Sequence, residues 1–268
     1  MREGLRRSHP EQNRRGQAAP LRMESLGRIL DALGATPTAT DAHEVLALLV
    51  GHAGIMRPGE LAGLTAGDLR YVLVAGAGAP VGGLTPPLTD IEYIRVTLKN
   101  PKTKKGGTQD VVLVRREDRY DTVGPLRALL AAKGAGDPLF TRTVHRKPSP
   151  KAMTPAILTA VLRKWLRRAG VDAKDTKLWS GHSGRRGGVV DLDDAGEPEA
   201  ATRQGRWASK EGQDAYMGAA KRVRVEGLRR LQPVAEQHSA GGVDARGGGS
   251  VQGEGRQGPG VRRRQARG

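Results

Sequence analysis

The run from Thr40 to Gly51 constrains the fold more than any other. Val45, Leu46, Leu48, Leu49 and Val50 make it apolar around most of its circumference. A helix of that kind has no solvent face, so it must lie between other elements. The rest of the chain supplies partners. Apolar positions recur at helical spacing in Leu21–Leu33 (Leu26, Ile29, Leu30, Leu33) and Thr122–Ala132 (Leu126, Leu129, Leu130). They recur again in Thr154–Ala169 and Lys221–Gln237. Leu69–Val74, Ile91–Leu98 and Val111–Val114 are β-branched or alternating and read as strands. The Gly/Pro-rich piece 75–90 reads as a loop, and 134–151 as a connection around Leu139 and Phe140. The expected fold class is α+β, mainly α, with a small antiparallel sheet.

Charge narrows the partner. There are 45 Lys and Arg against 28 Asp and Glu, a formal +17, which suits a polyanion and most simply nucleic acid. An Arg-rich genome is the plainer source of such an excess. Cysteine is absent, which excludes disulfides, thiolate nucleophiles and cysteine-based zinc sites. His43-Glu44 comes nearest to a zinc-protease pattern, but its next His is too far away. No run of 18 apolar residues suggests a membrane span. The Arg-rich start lacks the apolar core of a signal peptide, so an intracellular protein is expected.

Three regions follow. Residues 1–20 read as a basic, disordered arm, 21–237 as one domain, and 238–268 as a Gly/Arg-rich disordered tail unable to form a core.

The candidate chemistry lies at five places. Arg57-Pro58-Gly59-Glu60 opens a helix, with Arg57 and Glu60 spaced to pair. A Lys-rich hairpin tip, 99–107, joins two strands. Gly181-His182-Ser183-Gly184-Arg185 begins another helix, with Ser180 as its expected N-cap and an end near Ala195. A short helix, Glu197–Arg203, leads to Gly205-Arg206-Trp207. Tyr216 follows on an expected helix, Lys210–Met217. Arg163, Lys164, Arg167 and Arg168 are expected to face outward from helix 154–169, toward either phosphate or water.

Taken singly these residues mean little: a half-buried Tyr, a core Trp, an interior His and an ordinary Arg–Glu pair are all common. Together they suit attack on a phosphodiester. Two Arg forks can clamp non-bridging oxygens in a bidentate manner that Lys cannot. Stabilising the charge that develops there is often the largest catalytic term. A phenol, with a pKa near about 10, needs both the clamp and a base before it attacks.

In this order and spacing the motifs resemble the catalytic domain of the tyrosine recombinases, the phage-integrase family of DNA breaking-rejoining enzymes. The resemblance covers roughly residues 19–237, and Ser-Gly-His-Ser-x-Arg is close to Cre-like wording. It implies that Arg57 and Arg185 are the clamping pair and that Glu60 is the acidic partner of Arg57. His182 accepts or shares the Tyr216 proton, and Trp207 fills the position where many relatives have a second His. Lys102, which directly precedes a Thr, is the hairpin Lys that protonates the leaving 5′ oxygen; Lys104 and Lys105 remain open for that role. Tyr216 is the implied nucleophile, giving a 3′-phosphotyrosine link with no metal, nucleotide or other cofactor. The implied partners are double-stranded DNA and further copies of the chain, as a tetramer on two sites, with residues 221–237 docking on a neighbour or on their own domain. Most relatives carry a core-binding domain ahead of the catalytic one, whereas only about 20 residues precede it here. The alternatives are a type IB topoisomerase-like nicking and resealing enzyme, or a DNA-binding remnant of a mobile element.

Overall fold

The computed structural model describes residues 18–77, 85–99, 107–144 and 147–207. Among these are seven α-helices and five strands, in the order α1 (Met23–Leu33), α2 (Ala39–Ala53), α3 (Pro58–Ala62), β1 (Leu69–Leu73), β2 (Ile91–Lys99), β3 (Thr108–Val114) and α4 (Val123–Leu130). Then come β4 (Thr141–Val144), β5 (Lys147–Ala152), α5 (Pro155–Arg168), α6 (Ser183–Asp194) and α7 (Pro198–Gly205). No described helix is long and apolar enough to cross a membrane.

The helix that most constrained the sequence lies between two cores. From α2, Leu46, Ala47 and Val50 enter a cluster with Ile94, Val96 and Leu98 of the sheet and with Val123, Leu126 and Phe140. Val45, Leu48 and Leu49 enter a second cluster with Leu26 and Ile29 of α1 and with Leu162, Trp165 and Leu166 of α5. Thr38 caps α2, its hydroxyl accepting from the Asp41 amide at 3.1 Å.

The three-stranded sheet is antiparallel in the order β1-β2-β3. In β2, Ile94, Val96 and Leu98 are buried at every second position and face α2 and α4, as a half-buried strand requires. Residues 134–151, expected as a plain connection, instead contain the β4-β5 hairpin, which pairs Thr141 with Ala152. Pro148 and Pro150 hid it, because proline is confined to edge strands and so lowers any strand reading.

Two further expectations shift. Residues 18–20, assigned to the arm, are packed: the Ala19 amide donates to the Leu178 carbonyl at 2.7 Å, and Ala19 is buried beside Leu21. The basic face of α5 is partly occupied by its own chain. Arg163 Nε donates to the Trp179 carbonyl at 3.0 Å, Lys164 bonds Asp41 at 3.2 Å and also Glu44, and Arg168 bonds Asp41 at 3.0 Å. The tail and the helix expected at 221–237 lie outside the described residues.

Candidate active site

The site is built around a turn. α2 ends at Gly54 and the chain reverses through Ile55, which is fully buried with φ 48°. A β-branched residue rarely adopts this left-handed conformation, and it persists only where the surroundings hold it. Here the Ile55 carbonyl accepts from Arg185 Nη1 at 2.7 Å and from Arg206 Nη2 at 3.4 Å.

Two residues on, Arg57 is the N-cap of α3, and Pro58 occupies the first turn as expected. Glu60 folds back on Arg57, taking its amide on Oε2 and its Nη1 on Oε1, both at 2.7 Å. The expected Arg57–Glu60 pair is therefore formed. α3 has only five residues, so the cation at this corner is the Arg57 side chain, not a helix dipole.

The N-cap of α6 falls two residues later than expected. Ser180 lies in the turn before it, its amide bonded to Ser183 Oγ at 3.0 Å, and His182 is the N-cap. Glycines let α6 sit against backbone. A Cβ at Gly188 would collide with the His52 carbonyl, and one at Gly187 with the Leu21 carbonyl. This close approach carries Arg185, three residues past the cap, into the interior, where it is 2% exposed. His182, by contrast, is exposed.

The third contribution comes from the end of α7. Gln204 docks this helix on the edge strand β3, its Nε2 donating to the Val112 carbonyl at 2.6 Å and its Oε1 accepting from the Val112 amide at 3.3 Å. Arg206 then turns left-handed, φ 58°, and Trp207 folds back over Gly205, where any Cβ would collide with the indole. The ring covers Arg185, whose guanidinium carbon lies 4.5 Å from the ring centroid. Arg185 Nη2 also bonds the Gly205 carbonyl. Arg185 is thus held by Ile55, Gly205 and Trp207 together.

Arg206 was not singled out in the sequence. Its Nη2 donates to Glu60 Oε2 at 2.5 Å, and its Nη1 donates to the Gln204 carbonyl at 2.6 Å. Burial lowers its pKa, with Glu60 acting against that and Arg57 adding to it; an Arg so held stays charged at neutral pH. Only its place as the middle residue of the Gly-x-Trp motif could have drawn attention to it.

A second network fixes the other side of α6. Asp191 Oδ2 bonds His52 Nε2 at 2.8 Å and accepts the Met23 amide at 2.9 Å, while its Oδ1 meets Arg22 Nε at 2.5 Å. Neither His52 nor Asp191 carried a motif.

The structure therefore brings Arg57, Glu60, Arg185 and Trp207 to one corner and places His182 at the N-cap of the helix that carries Arg185. Lys102, its alternatives Lys104 and Lys105, and Tyr216 lie outside the described residues. Among the described residues no group of three or more His, Asp or Glu is placed to hold a metal ion.

No protein-family model matches the chain, and no curated protein matches it in sequence. Solved structures do match its fold. Against the XerH site-specific recombinase bound to difH substrate, a pre-cleavage complex, the TM-score is 0.50 at 14% identity, covering 80% of this chain and 54% of that one. The XerH post-cleavage complex with palindromic difH gives 0.49 at 16% identity, covering 80% and 53%. An FLP recombinase–Holliday junction complex gives 0.43 at 14% identity, covering 78% and 48%. The chain has the fold of the XerH recombinase at low identity, so the tyrosine-recombinase fold expected from the motifs is the observed one. It spans about half the length of the structures it matches.

Proposed function

We propose that the chain cuts and rejoins double-stranded DNA as a site-specific tyrosine recombinase. The observation that carries this reading is that Arg57 and Arg185, far apart in sequence, belong to one network: Arg185 bonds the Ile55 carbonyl, and Arg57 bonds Glu60, which Arg206 ties to that same carbonyl. Two guanidiniums at one corner suit the non-bridging oxygens of a single phosphodiester. Arg185 is held rigidly by two carbonyls and an indole, which is the preorganisation that charge stabilisation needs.

The chemistry balances without an added reactant. The Tyr216 oxygen bonds to phosphorus while the bond from phosphorus to the 5′ oxygen breaks. The phenol proton passes to His182 or to water, and the 5′ oxygen takes a proton from Lys102. Reversal by another 5′ hydroxyl reseals the strand, so no metal or nucleotide is consumed. Glu60 holds Arg57, and Trp207 holds Arg185. Further copies of the chain, as a tetramer on two DNA sites, would complete the exchange at the DNA inside the cell.

A nicked suicide substrate tests the reading. A covalent protein–DNA adduct is expected from the wild type and none from Tyr216→Phe. No adduct on any site sinks the enzyme reading and leaves a DNA-binding remnant. Plasmid relaxation without strand exchange would replace it with a topoisomerase-like activity.

A further inference from the structure

Glu60 serves two guanidiniums. Arg57 Nη1 takes Oε1 at 2.7 Å, and Arg206 Nη2 takes Oε2 at 2.5 Å. The two Arg side chains differ in access: Arg57 is 23% exposed and Arg206 only 2%. Arg57 is therefore open to a ligand, while Arg206 spends its guanidinium on Glu60 and on the carbonyls of Gln204, Gly54 and Ile55.

An Arg57–Glu60 pair alone is neutral. A phosphate approaching Arg57 would meet Glu60 at a similar distance, and much of the attraction would cancel. A second, buried guanidinium on the same carboxylate returns the cluster to a net positive charge. The backbone at Arg206 points the same way. Its φ of 58° lies in the region that disfavours residues with a long side chain, and Gly would sit there without strain. An Arg held in such a conformation by Glu60 and by the carbonyls of Gln204, Gly54 and Ile55 marks the side chain as the reason.

We propose that Arg206 is a positioning residue for phosphate binding, sharing Glu60 with Arg57 so that Arg57 presents a net charge to the ligand. The proposal rests on reading this corner as a phosphate site. It assigns Arg206 no contact with the reacting atoms.

Three variants of the full chain test it, with inorganic phosphate as the probe and the guanidinium NMR signal of Arg57 as the readout. R206G keeps the left-handed backbone and deletes only the charge. It is expected to weaken phosphate binding at least about tenfold, the effect of one unit charge about 12 Å away at an effective dielectric of about 20, and more if the charge lies nearer. R206K restores most of the affinity. The double variant E60Q/R206G also recovers, because removing the carboxylate makes the lost cation unnecessary; a merely structural Arg206 gives no such rescue. Unchanged affinity in R206G, absence of rescue, or no phosphate binding by the wild type overturns the proposal. So does an R206G that fails to fold while R206K folds, because Arg206 is then structural. A wild type that binds phosphate in this pattern but forms no DNA adduct sinks the recombinase reading and leaves this one standing.

Discussion

The Arg185 guanidinium lies 4.5 Å from the centroid of the Trp207 indole, and both residues are positioned by Gly205. The carbonyl of Gly205 takes a hydrogen bond from Arg185, and its missing side chain admits the ring. The contact joins the start of α6 to the end of α7 and closes the small core of Ile55, Val189 and Ala201.

Trp207→Ala is expected to destabilise the protein by about 2–3 kcal/mol. The half-buried ring loses packing and a cation–π contact over a buried Arg. Trp207→Phe retains a ring face and is expected to lose less than half as much. Urea unfolding of the three proteins gives the comparison, and equal losses would show that the aromatic face over Arg185 is irrelevant.

Gly187→Ala and Gly59→Ala are expected to move stability in opposite directions. A methyl at Gly187 meets the Leu21 carbonyl, which is backbone and cannot turn aside, so the loss is about 3 kcal/mol or more. At Gly59, inside α3, a methyl meets nothing within 4 Å, and helix propensity predicts a gain of up to about 1 kcal/mol. Thermal melts that rank the two the other way would contradict the close α6 packing.

Gln204→Ala removes both bonds between α7 and the Val112 main chain. A loss of about 1 kcal/mol is expected. Hydrogen exchange is the sharper measurement, because the Val112 amide on edge strand β3 becomes unprotected. Protection unchanged from the wild type would mean that α7 is held elsewhere.

Stability is expected to fall in two acid steps. Burial lowers the His43 pKa below 6.5, and its Nε2 accepts the Thr141 amide at 3.0 Å, which requires the neutral ring. The unfolded His binds its proton first, so this contribution is present above pH 6.5 and is lost as pH falls through the folded value. Burial pushes Asp68 upward, but Lys99 and Thr65 outweigh it and hold the carboxyl below 3.8. Its contribution is present above that pH and disappears as pH falls further. His43→Gln should remove the first step and Asp68→Asn the second, each read as a difference from wild type in urea midpoints across pH.

The elements themselves were legible because periodicity is local. The burial of α2, the three strands, the cap position of Arg57 and the pairing of Arg57 with Glu60 all follow from residues a few positions apart. The β4-β5 hairpin was not legible, because its two prolines oppose the pattern that would announce it. The start of α6 was misplaced because Ser180 and Ser183 offer two equivalent hydroxyls. Both are taken up inside the turn, Ser183 Oγ by the Ser180 amide at 3.0 Å and Ser180 Oγ by the His182 amide at 3.3 Å, so the cap falls on His182, and the turn is further set by packing, as where the Gly181 amide meets Thr159 Oγ1 at 2.9 Å.

By itself the sequence determined the described helices and the three-stranded sheet, the residue types able to clamp a phosphate, and their order along the chain. Only the tertiary structure decided that Arg185 is buried under Trp207 while His182, three residues earlier, stays exposed. It alone made Arg206 a partner of Glu60 and Asp191 a partner of His52. The reason is that such pairs join residues remote in the chain. Their geometry is set by glycines that let one backbone touch another, and no local spacing encodes that contact.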